Sequence, residues 1–265
     1  MKNFLLVCNF KMNVVETKSY VDAMKNEEYA NVILCPNFCD LKEFVKLKKS
    51  NKILLGAQNV SEFESGAHTG EISVAMLKNI GAQFCIVGHS ERKQFNFETL
   101  SQTNQKVKLL IESNISPIIC VGEELYSVEE KQAEFAVRFV LSELNEILKD
   151  VDVSKVIVAY EPVWAIGTGK VASNEHIETV LSAIKKYTGV EFTLYGGSFG
   201  ENNFEDIAKI DCVDGALIGG ASLKPELICK MQKRIKEILW KKIWLHLWLL
   251  MVLELAKVNM AMQLK

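Results

Sequence analysis

Glu161 stands directly after a short apolar run, residues 156–160, and directly before Pro162, so the chain holds a carboxylate at the end of a strand-like segment. A carboxylate in that position can act as a general base toward a carbon acid. Lys11, in "NFKMN", and His89, in "GHSERK", also follow apolar runs. The first offers a fixed positive charge and the second a hydrogen bond, and either can steady a negative oxygen. Two glycine turns complete the set, "YGGS" with Gly196, Gly197 and Ser198, and "IGGAS" with Gly219 and Gly220. Their backbone N–H groups suit an anion such as phosphate. No nucleophile relay accompanies Ser90 or Ser198, and the Cys35/Cys39 pair lacks a second pair or a nearby histidine for a metal. No cofactor fingerprint is present. Taken singly, each residue has a plainer reading: a charge at a strand end is usually solvated, and a glycine pair is usually a turn. Their convergence points to cofactor-free, metal-free proton transfer on a small phosphorylated carbonyl compound.

Convergence requires a fold that brings many strand ends to one face. Apolar runs suited to strands fall at 4–8, 32–35, 53–57, 84–87, 115–121, 156–160, 192–195 and 215–218. Each is nearly all apolar, as strands covered on both faces should be. Amphipathic helical patterns lie between them. In 130–151, Val137, Leu141, Leu144 and Leu148 recur at a spacing of three to four, and 173–189 opens on Ser173 and closes near Gly189. Eight alternating units predict an α/β protein built as a single (β/α)8 barrel, whose chemistry gathers just after the strands. A doubly wound open sheet is the alternative, weakened because no G-x-G-x-x-G follows the first strand.

The remaining composition narrows the class. At 265 residues, 49% apolar and 24% charged, the chain is long enough for one full barrel, and a net charge of −2 gives no case for nucleic acid. Of seven cysteines, Cys8, Cys35, Cys85 and Cys120 lie in strand-like runs, which predicts buried free thiols in a reducing cytosol. The first residues read as neither signal peptide nor membrane span, so the expected location is the cytoplasm and the sequons at Asn59 and Asn114 carry no meaning.

"NFKMN", "GAHTGEIS", "GHSERK", "YEPVWAIGTGK", "LYGGS" and "GALIGGASLKPE", in this order, resemble the motif set of the triosephosphate isomerases from about residue 3 to about residue 239. The resemblance implies that Glu161 is the base exchanging a proton between the carbons of dihydroxyacetone phosphate and D-glyceraldehyde 3-phosphate through an enediolate. It implies a neutral His89 as the electrophile, disfavoured as a cation by a short helix beginning at "SERKQF". Lys11 would supply charge and Asn9 a hydrogen bond. Gly167, Ser198, Gly219 and Gly220 would hold the phosphate, and Ser90 and Glu91 would support the site, with Glu91 on Lys11. The segment from Pro162 to Lys170 would close over the substrate. The long loop 59–73 would enter a partner subunit, with Thr69 reaching the partner's site, so a homodimer is implied. Three departures, Lys93 for an arginine, a shortened span between Lys170 and Tyr195 that trims a helix, and Phe192 for another arginine, bear on stability. Another phosphate-binding barrel, an aldolase or decarboxylase, and a non-catalytic binding protein are the rival readings.

The barrel domain is expected over 1–239, and 240–265 forms an atypical extension holding Trp240, Trp244 and Trp248 at a helical spacing of four. Its apolar stretch, 243–253, is too short for a bilayer at about 20 residues. The extension reads as a helix packed on the barrel or a partner, as an out-of-frame addition, or as a membrane-surface anchor.

Overall fold

The structure, a computed structural model, describes residues 4–24, 31–45, 53–124, 132–166, 171–242 and 244. Eight parallel strands close into a barrel in chain order, β8 pairing with β1. They are β1 (Leu5–Asn9), β2 (Val32–Cys35), β3 (Leu54–Ala57), β4 (Phe84–Val87), β5 (Ser116–Val121), β6 (Ile157–Tyr160), β7 (Phe192–Tyr195) and β8 (Gly215–Ile218). Around them run α1 (Thr17–Met24), α2 (41–45), α3 (Val74–Ile80), α4 (Ser90–Asn96), α5 (Leu100–Glu112), α6 (Gln132–Ile147), α7 (Asn174–Thr188), α8 (Phe204–Ala208) and α9 (225–242). All eight expected strands are present, and the open-sheet alternative is excluded by closure.

Phe4, Ile53, Ile115 and Val156 were expected to pair, yet each precedes its strand while remaining buried. Apolarity reports burial, and these residues enter the core one position before the ladder begins. At the other end β1 takes in Asn9, which pairs with Cys35. The helix expected over 130–151 spans 132–147 among the described residues, and Asp150, at φ 60, turns the chain out beyond it. α7 carries the expected caps: Ser173 accepts from the His176 N–H, and Gly189 closes the helix at φ 77.

Two apolar layers follow from strand alternation. Val7, Ile33, Ile86, Ile118, Ile157, Ala159, Leu194 and Leu217 fill the barrel interior, while the alternate residues, such as Leu6, Leu34, Val87, Val158 and Ile218, face the helices. Cys8, Cys35, Cys85 and Cys120 are free and buried. The interior register fixes the site. Val7 leads to Asn9, Ile157 and Ala159 lead to Glu161, Leu194 leads to Gly196 and Leu217 leads to Gly219, so one more inward step places each at the C-terminal rim. Among the described residues, no helix is long and apolar enough to cross a membrane.

Candidate active site

Glu161, 2% exposed, ends β6 with its backbone N–H on the Val121 carbonyl at 2.8 Å. Both carboxylate oxygens have donors: Oε1 lies 3.0 Å from His89 Nε2, and Oε2 accepts the Ser90 N–H at 3.1 Å. His89 caps α4, its Nδ1 accepting the Glu91 N–H at 3.2 Å. A nitrogen that accepts from a backbone N–H carries no proton, so the ring proton is on Nε2 and points at Glu161. Burial disfavours the His89 cation, but the adjoining carboxylate favours it more, leaving His89 above its ordinary range. Burial likewise works against the Glu161 anion, and His89 with the Ser90 N–H outweighs it, leaving Glu161 below its ordinary range. A helix-end depression of His89 was expected. With Glu161 seated on the ring, the carboxylate raises it against burial.

Lys11 reaches the same rim from the loop after β1. Its backbone is left-handed, at φ 51, a conformation costing about 1 kcal/mol for a non-glycine residue. Two side chains hold it there: Asn9 Oδ1 accepts the Lys11 N–H at 3.0 Å, and Gln58 Nε2 donates to the Lys11 carbonyl at 2.9 Å. The Lys11 amine contacts Glu91 Oε1 at 2.5 Å. A Cβ on Gly219 would sit 3.4 Å from Lys11 Cε, so the lysine stem crosses the end of β8. Asn9, Lys11, His89 and Glu161 line one cavity of about 630 Å³ with Ser198, Gly219 and Gly220. Seven of the expected site residues thus line one cavity, and Gly167 lies outside the described residues. Ser90 and Glu91 adjoin the cavity, Ser90 through its N–H on Glu161 and Glu91 through its carboxylate on Lys11. Among the described residues, no group of His, Cys, Asp and Glu is placed to hold a metal ion.

Several residues that position this site escaped the sequence reading. Gly122 follows β5, and a Cβ there would lie 1.7 Å from the Glu161 carbonyl oxygen, so only glycine lets the Glu161 backbone approach. Glu123, fully buried, accepts from Trp164 Nε1 at 2.7 Å and from the Tyr160 hydroxyl at 2.9 Å. Burial lifts its carboxyl above the ordinary range despite those donors. The Tyr160 oxygen is in turn 2.7 Å from Nε2 of His176, a ring that burial keeps neutral. These bonds brace the turn Val163–Ala165 that follows Glu161. The rule that found Glu161, a polar residue just past a strand, would have found Glu123 too. Behind His89, Glu98 accepts from the Gly88 N–H at 3.1 Å and pairs with Lys106 at 2.7 Å and Arg92 at 2.5 Å. Lys93 pairs with Glu143 at 2.6 Å, while Phe192 is 41% exposed.

The site and barrel have clear relatives. A family model described as triosephosphate isomerase matches residues 4–235. A protein named triosephosphate isomerase from Mycoplasmopsis pulmonis is 42% identical over 238 residues, covering 84% of this chain and 94% of the relative. One from Mesomycoplasma hyorhinis is 40% identical over 241 residues, covering 87% and 98%. One from Caldanaerobacter subterraneus is 39% identical over 248 residues, covering 87% and 99%. With a matching eight-stranded barrel and a family model spanning nearly all of it, the chain belongs to the triosephosphate isomerase family, enzymes of the isomerase class.

Proposed function

We propose that the chain interconverts dihydroxyacetone phosphate and D-glyceraldehyde 3-phosphate by proton transfer through an enediolate, without a cofactor. The observation that carries this reading is the buried Glu161–His89 pair, 3.0 Å apart, opening on the cavity that the glycine turns also line. Glu161 takes the proton from the carbon beside the carbonyl. To reach it, the carboxylate must leave at least one of its two donors. Leaving His89 frees the Nε2–H to donate to the substrate oxygen. It also removes the pull that favours the imidazolium, so burial and the start of α4 then keep the ring neutral. Lys11 adds fixed charge toward the enediolate oxygens and Asn9 a hydrogen bond. Glu161 returns the proton to the neighbouring carbon.

The phosphate is taken by backbone N–H groups of Ser198, Gly219 and Gly220, with Gly167 from the segment after Ile166. The segment from Pro162 to Lys170 would close over the substrate, and its described near end is stiffened by Pro162 and by the Trp164–Glu123 bond. Loop 59–73 exposes every residue from Phe63 to Glu71, Thr69 included, and the Ser61 N–H to Ile72 carbonyl bond at 2.8 Å ties its base. A projecting loop of this length suits insertion into a second copy, so the working unit is a homodimer. The catalytic barrel is assigned to 1–239 and the extension to 240–265, supported by the end of the family match at 235. Cytoplasmic residence follows from a role in triose phosphate metabolism.

The test is turnover in heavy water after exhaustive dialysis against a chelator. Retained activity with solvent deuterium on the product carbon supports the proposal. Failure to turn over this pair, or a product with no solvent label, overturns it.

A further inference from the structure

The turn after β7 is built around Asn203. Its side chain lies where a helix cap would be, at the entry of α8, but makes no bond to the N–H groups of that helix. Both ends of the amide instead face back into the turn. Oδ1 accepts the Gly200 N–H at 2.9 Å, and Nδ2 donates to the Ser198 carbonyl at 2.8 Å. Ser198 is held from its other side as well, its hydroxyl donating to the Ala165 carbonyl at 2.8 Å. Ser198, Gly200 and Asn203 all line the cavity that holds Glu161 and His89. The rest of the turn is tied through the Gly200 carbonyl, which accepts the Asn203 and Phe204 N–H groups at 3.2 and 3.1 Å, and through the buried Phe199 ring, so the Asn203 amide is what holds the Ser198 carbonyl. Glycines stand at 197 and 200 on either side of the Ser198–Phe199 pair, which adds backbone freedom that the Asn203 bonds restrict.

We infer that Asn203 is a positioning residue for the substrate phosphate, its amide locking the 198–200 turn so that the Ser198 N–H faces the anion. The inference rests on the proposed phosphate role of Ser198. A held carbonyl at Ser198 fixes the plane of the following peptide, and the Gly200 bond fixes the next one. Asn203 thus removes rotational freedom that phosphate binding would otherwise have to remove, and affinity rises because the donor is already aimed. Its action is on binding and leaves the proton-transfer groups where they are.

The experiment uses the full chain, with inorganic phosphate as the probe and kcat, KM, phosphate inhibition and melting temperature as readouts. Asn203→Ser is the primary variant. Serine is a favoured cap residue and keeps the start of α8, but its short hydroxyl cannot bridge Ser198 and Gly200. Asn203→Ala removes the bridge and leaves a poor cap residue at the start of α8. A positioning role predicts that Asn203→Ser raises KM and the phosphate inhibition constant together by about tenfold, with kcat changed less than about threefold. Rescue of both constants by serine, with loss only in alanine, would make Asn203 a mere cap and overturn the inference. Unchanged phosphate inhibition in both variants would overturn it too, while leaving isomerisation by the parent chain intact. A parent chain that neither isomerises triose phosphates nor responds to phosphate would instead overturn the underlying reading, and this inference with it.

Discussion

Substituting Gly122 by alanine should cripple the reaction more than the fold. The added methyl would sit 1.7 Å from the Glu161 carbonyl oxygen and 2.5 Å from its carbonyl carbon. Ordinary carbon–oxygen contact needs about 3.4 Å or more, so β5 and β6 must part by over about 1 Å at their C-terminal ends. The interior of the barrel below is packed on both sides and does not share that movement. Displacement therefore falls on Glu161, whose carboxylate is placed through its own backbone. A misplacement of about 1 Å at a reacting group costs about 10²-fold in rate. The overpacking itself costs about 1–3 kcal/mol, which for a chain of this size lowers the melting temperature by about 2–12 °C. The assay is steady-state isomerisation at saturating triose phosphate, paired with a thermal melt on the same preparation. A folded variant with kcat within about threefold of the parent would refute the argument, because Glu161 would then tolerate a shift of its strand.

Glu98→Gln strands Lys106 and Arg92 beside a neutral amide, and breaking a buried pair costs about 3–5 kcal/mol, readable as a fall in melting temperature. The Lys106 and Arg92 partners hold the folded Glu98 below its ordinary range although burial opposes them. Its contribution is therefore full above the unfolded value near 4.5 and fades as pH falls through the lower folded value, so the parent–variant gap should shrink in acid. Trp164→Phe removes a donor from buried Glu123 and should lower stability by about 1–3 kcal/mol, measured by denaturant titration. Truncation after Leu239 removes Trp240 and Trp244, 47% and 66% exposed, and should leave kcat/KM nearly unchanged. It also breaks the surface Lys242–Asp211 pair, whose loss by itself costs about 0–1 kcal/mol.

The barrel was legible because its strands are apolar on both faces and its rim residues stand just past them. Glu161 follows Tyr160 in sequence, and the inward alternation through Ile157 and Ala159 makes its direction readable as well. Gly122 was not legible as a constraint, since it reads as an ordinary turn until β6 is laid against it. The same holds for Asn203, which as a sequence residue is only a plausible cap. The raised His89 was not legible for a related reason: the helix that follows it is local, while the carboxylate that favours its cation comes from another strand. The strand boundaries at Phe4 and Val156 slipped because packing continues where pairing stops.

Replacement of Glu161 by glutamine tests the central claim most directly. The amide keeps the side chain's shape and the Ser90 contact but cannot take a proton. Loss of a general base in this position corresponds to about 4 kcal/mol or more in the barrier, so kcat should fall by at least about 10³-fold. Inhibition by inorganic phosphate, which depends on the glycine turns, should remain within about threefold of the parent. A glutamine variant that turns over within about tenfold of the parent would contradict the account.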